Sequence, residues 1–190
     1  RSTAVGWQSM TATTTGAYNT GMGDASMEAN TTGSYNVAIG QAALSQNTTG
    51  DQNTAVGALA LDSNTTGERN TAVGYESLDN NTTGNRNTGL GAFAVDFNTT
   101  GGNNVGVGYA ALYVNTTGSS NTAAGSNALD ANTTAVENTA IGRNALGATT
   151  TGGYNTAVGS GSLASNVTGV KNVAVGRDAL VASTGDYNTG

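Results

Sequence analysis

NTAVGALALDSNTTGER, residues 53–69, is followed at once by NTAVGYESLDNNTTGNR, residues 70–86, and the same phrase runs the length of the chain. Repeats begin at Ser2, Asn19, Asn36, Asn53, Asn70, Asn87, Asn104, Asn121, Asn138, Asn155 and Asn172, each step being 17 residues. The last copy loses one Thr, and a partial repeat opens at Asn188. A fixed period near 20 residues marks a solenoid, in which each repeat is one coil and neighbouring coils share a core. The expected organisation is therefore a single array over residues 1–190, an excerpt of a longer protein.

Counting from the leading Asn, N-T-A-V-G fills positions one to five, a small residue and Leu fill eight and nine, and N-T-T-G fills twelve to fifteen. Gly at five and the recurring Asn-Thr-Thr-Gly would break any helix of useful length. Short strands joined by Gly and Asn turns fit instead, so the fold class is all-β, a parallel β-solenoid of 17-residue coils. Positions four and nine are the two consistently large apolar columns. Val56, Val73 and Val107 at four, with Leu61, Leu78 and Leu112 at nine, are expected to stack up the inside. Position three is always Ala or Gly, which places a close neighbour on the opposite face. Gly at fifteen is expected to take a positive φ. Asn at one and twelve can bond neighbouring backbone and stack into ladders.

The composition excludes much chemistry. The chain has 29 Gly but no Cys, His or Pro, and 12 acidic against 6 basic residues give a net charge of −6. Without His or Cys, most nucleophile–base pairs and transition-metal sites are gone, so no catalytic, metal or cofactor residues are assigned and an enzyme is not expected. With no basic patch and no apolar run of 18 residues, neither nucleic-acid binding nor membrane insertion is expected. Low charge alone could suggest disorder, but a disordered chain has no reason to hold one register over eleven copies. Asp62, Asp79, Asp96 and Asp130 recur at position ten and lack the spacing of a calcium loop, so they read as a solvated stripe. Sequons at Asn30, Asn47, Asn64, Asn81, Asn98, Asn115, Asn132 and Asn166 follow automatically from the repeat.

Phe93, Phe97, Tyr109 and Tyr113, with Val95 and Val114, cluster over two adjoining repeats and form the candidate contact patch, for a host-surface protein or glycan. A coil carrying one Val and one Leu is thin. Several chains wound together would bury its Ala/Gly face, so a homotrimer or filament of the chain with itself is expected, with a single-chain solenoid as the alternative.

Asn36-Val37-Ala38-Ile39-Gly40 and Asn172-Val173-Ala174-Val175-Gly176 resemble the strand motif in head domains of trimeric autotransporter adhesins. The longer phrase Asn70-Thr71-Ala72-Val73-Gly74-Tyr75-Glu76-Ser77-Leu78 is similar to repeats of bacterial and phage tail-fibre-type proteins. The resemblance covers essentially the whole chain, although the adhesin repeat is shorter. It implies a left-handed homotrimeric β-roll projecting from a cell surface or virion. The expected function is an extracellular fibre or stalk segment giving rigid, protease-resistant reach. Two alternatives stand beside it: adhesion to a partner or glycan along the shaft, and an ice-binding β-solenoid. Adjacent Thr at thirteen and fourteen face opposite sides, so that pair does not write a flat ice-binding lattice.

Overall fold

The computed structural model describes residues 1–190 and is all-β, with eleven three-residue strands and no helix. The strands run from β1 (Thr3–Val5) to β11 (Val173–Val175), one at positions two to four of each repeat. All are parallel and paired in chain order within one sheet. Thr54, Ala55 and Val56 pair with Thr71, Ala72 and Val73, a shift of one repeat, so like lies on like at every step. The chain is a parallel β-solenoid, and coils are numbered here by repeat.

Hydrogen bonding continues between coils outside the strands. Gly57 N–H donates to Ile39 O at 2.8 Å, Leu61 N–H to Ser77 O at 2.9 Å and Thr65 N–H to Thr82 O at 2.9 Å. Where the coil turns, most backbone N–H groups find a carbonyl on a neighbouring coil and others close within their own, as Asn64 N–H does on Leu61 O at 3.3 Å, which meets the demand that buried N–H and C=O be paired. The turning itself is done in left-handed conformations at positions seven, nine and seventeen. Leu59, Leu61 and Arg69 have φ of 57°, 55° and 59°. Side chains seldom adopt this region, so the coil-to-coil bonds must hold these residues there. Gly at fifteen is not among the positive-φ residues, contrary to expectation. Space dictates it: a Cβ on Gly67 would press on Asn64 Oδ1 and on the Gly84 carbonyl oxygen. Gly at five answers to both demands, since Gly57 has φ 136° and its missing Cβ would meet the Gly74 carbonyl.

The core corrects one expected column and keeps the other. Leu61, Leu78 and Leu112 are fully buried and stack up the inside with Met27, Leu44, Leu129, Leu146 and Leu163. Val56, Val73 and Val107 do not join them: Val56 is half-buried, and Val73 and Val107 are each 38% exposed. The inward residue of the strand is position three, where Ala38, Ala55, Ala72 and Ala140 are fully buried. Alternation along a strand forces two and four to one side and three to the other. The coil is too thin to take the larger pair. A Cβ at Gly106, the same position as Ala72, would already press on Val95 and lie 3.0 Å from the Ala111 carbonyl oxygen. Small residues at three therefore fit the inside and do not mark a face awaiting another chain.

The two Asn columns complete the interior. Asn64 Nδ2 donates to Asn47 Oδ1 at 2.8 Å and to Gly67 O at 3.0 Å, and Asn81 Nδ2 donates in turn to Asn64 Oδ1 at 2.9 Å. At position one the pattern differs. Asn53 Nδ2 donates to Gly67 O at 2.8 Å, while Asn53 Oδ1 accepts from the Asn70 N–H at 2.9 Å. Both columns are inaccessible to solvent, so these ladders act as a polar core beside the Leu column.

Candidate functional site

Turning Val outward gives the sheet a distinctive outer face. Position two is Thr, or Val at Val37, Val105 and Val173, and position four is Val, Ile, Leu, Met or Ala. No charged residue interrupts either column across eleven coils. Val5, Met22, Ile39, Val73, Leu90, Val107, Ile141 and Val175 are all exposed on it. The result is a ribbon of apolar side chains, one per coil, edged by a ribbon of threonines. Contiguous exposed apolar side chains of this kind are uncommon on the surface of a lone soluble chain.

A second feature lies on the flank, where the repeat varies. The predicted residues Phe93, Phe97, Tyr109 and Tyr113 do come together, and Tyr75 joins them. The Phe93 ring stands edge-on to Tyr75 at 5.5 Å, to Tyr109 at 5.7 Å and to Tyr113 at 6.3 Å, and Tyr113 meets Phe97 at 5.1 Å. Edge-to-face packing of this kind fixes ring orientation. Tyr109 keeps more than half its surface exposed. Val95 is fully buried at position nine and belongs to the core. Phe93, Tyr109 and Tyr113, with Ala110 and Asn127, line a depression of about 210 Å³. Asn127 also lines a second depression of about 370 Å³ with Asp130, Asn144 and Gly147. Its amide is held from both sides: Ser126 Oγ lies 2.9 Å from Asn127 Oδ1, and Nδ2 donates to Asp130 Oδ2 at 3.2 Å. The sequence reading missed this polar half. Gly147, the sole Gly at position ten, was the available signal.

The position-ten carboxylates do not form a uniformly solvated stripe. Asp96 is 3% exposed, and burial raises its carboxyl to about 6 against the pull of the Asn80 amide, which donates to it at 2.9 Å. Asp79 is half-buried; burial and then the neighbouring Asp62, Asp96 and Glu76 charges push it to about 7. No group of three or more carboxylates is placed to hold a metal ion. The sequon Asn side chains at position twelve are buried: Asn47, Asn64, Asn81, Asn98, Asn115 and Asn132 each donate to the Asn one coil back, while Asn30 and Asn166 donate only to Gly33 O and Gly169 O. Comparison of the chain with family models, with curated proteins and with solved structures found no match.

Proposed function

We propose that the chain is a shaft segment of an extracellular fibre that assembles with copies of itself, as a homotrimer, through the outward Thr–Val face of the sheet. The observation carrying this reading is the uncharged apolar column that eleven coils leave exposed. A copy rotated about an axis parallel to the solenoid presents its own column at the same height, so coil meets coil without a register conflict. Cyclic closure gives each narrow column two neighbours, which covers it better than one flat partner would. Burial of apolar area at about 25 cal/mol per Å² then adds to every coil, and the gain grows with length. At about 4.8 Å per coil the eleven coils reach roughly 53 Å. Six Lys and Arg in 190 residues leave a trypsin-like protease few places to cut.

Sedimentation equilibrium at micromolar concentration tests the assembly. A mass three times the 18.6 kDa of one chain is expected. Replacing Ile39 and Val73 with Lys places charges on the outer face without touching the coil interior, and should return the single-chain mass with unchanged circular dichroism. A wild-type monomer would remove the proposal.

One observation favours a second reading, that of ice binding. Thr at two and Val at four stand on the same side of one parallel sheet in register from coil to coil, the regular array that the Thr pair at thirteen and fourteen does not provide. One surface cannot be both buried between chains and free to meet ice. Thermal hysteresis from a monomeric chain would select the ice reading, and its absence from a trimer the fibre.

A further inference from the structure

We infer that the flank groove of coils 5 to 9 binds a neutral oligosaccharide, with Tyr109 as the stacking platform and the Asn127–Asp130 pair as the hydrogen-bonding edge. The inference does not rest on the trimer, because every residue it needs comes from one chain.

Coil closure does not ask for these aromatics. Coils 2, 3 and 7 close with Ala25, Ala42 and Ala110 where coil 6 carries Phe93. Yet five of the chain's ten aromatic residues fall in three successive coils, on one flank. Their mutual edge-on packing leaves them as fixed walls rather than as a collapsed cluster. A largely apolar floor with a few convergent polar groups is the usual composition of a small-molecule site.

The polar half narrows the ligand class. Asn127 sits at the junction of the two depressions, so a ligand lying along the groove passes from rings to amide. Because Ser126 and Asp130 both hold that amide, it presents one free N–H and one free lone pair in a set direction. Asp130 keeps a second oxygen for a donor. Adjacent hydroxyls of a pyranose ring both donate and accept, and its C–H face suits the electron-rich face of Tyr109. No Lys or Arg lines either depression, which disfavours a carboxylated or sulfated sugar. Gly147 and Ala148 leave the trough open where a larger side chain at position ten would close it. An unbranched chain of sugars can thus lie along the solenoid axis over successive coils.

The test is a titration followed by amide NMR, using cellotetraose, chitotetraose, maltotetraose and mannotetraose, each to about 10 mM, the range in which weak sugar sites saturate. At least one should shift amides confined to coils 6 to 9. Tyr109→Ala and Asn127→Ala should each weaken that binding at least about tenfold, as loss of a central anchor does. Gly147→Gln, whose added Cβ would lie a tight 3.3 Å from the Asn144 carbonyl oxygen, should block the trough to the same degree, with an unchanged circular dichroism spectrum showing that the coil accommodates it. Tyr18→Ala, on a remote stacked pair, should leave it unchanged. Absence of any shift, shifts that survive both Tyr109→Ala and Gly147→Gln, or tighter binding of a sialylated or sulfated probe would each overturn the inference. A groove silent to all four sugars would be left to a protein partner.

Discussion

Thr149 stands where the other interior coils place an Asn, and the substitution shows how much the ladder depends on one amide. Its hydroxyl donates to Asn166 O at 2.7 Å, so nothing is left for Asn132 Oδ1, which stays buried without a partner. The hydrogen bond from Asn132 Nδ2 to Ala135 O is also stretched, to 3.4 Å. Thr149→Asn should restore the run and stabilise the fold by roughly 1–2 kcal/mol, the usual scale for satisfying a buried acceptor. Thermal melting of the variant checks this; an unchanged or lowered midpoint would mean the ladder tolerates gaps. The same column bears on glycosylation. A sugar on Asn64 would need its Nδ2, which already bonds Asn47 and Gly67 in a solvent-free interior. Expression through a glycosylating secretory route should therefore leave the buried ladder Asn bare in any folded chain, resolved by mass spectrometry of the soluble fraction. The ladders were legible in the sequence because Asn recurred at two fixed positions. Which Gly needed a positive φ was not, since Gly67 is demanded by crowding and the left-handed turns fall on Leu59, Leu61 and Arg69.

At the scale of the strand, alternation tells which residues share a side but not which side is inner. Val73 and Leu78 look equivalent in the repeat, and size alone would send both inward. The coil's narrow section decides otherwise, because Ala72 opposite the Leu column already fills the gap. The two should respond in opposite ways to substitution. Leu78→Ala opens a cavity in a fully buried column and should cost about 2–5 kcal/mol. Val73→Thr changes an exposed position and should leave the stability of a single chain within about 0.5 kcal/mol. Chemical denaturation of both variants, in an Ile39→Lys background checked to be monomeric by sedimentation, would separate these outcomes, and equal losses would contradict the outward placement. Aromatic clustering at the contact patch was readable from adjacency in the repeat. Its polar partner Asn127 was not, because two coils had to be stacked before Asn127 and Tyr113 came to line the same hollow.

Across the whole molecule, stacking one repeat on another buries Asp79 and Asp96 at position ten and then sets like charges beside them, and this gives the fold a pH dependence of definite sign. Asp79, at about 7, faces Asp62, Asp96 and Glu76, and Asp96 lies at about 6, both above the ordinary carboxylate value of 3.8. Raised values mean that the folded chain holds protons which the unfolded chain has already released, so between about pH 4 and pH 7 the native state binds more of them. Stability must therefore fall as pH rises through that window, the reverse of a salt-bridged carboxylate. Because Asp79 is half open to water, screening reduces the effect, and a loss of roughly 1–2 kcal/mol between pH 5 and pH 8 is expected. Asp79→Asn removes the repelling charge and keeps the shape, so it should raise the melting midpoint at pH 8, leave it nearly unchanged at pH 4.5, and flatten the profile between. Melting curves for both proteins at matched ionic strength would decide the matter. A wild-type midpoint that climbs from pH 5 to pH 8 would show that the carboxylates are stabilised by partners rather than penalised by burial and like charge.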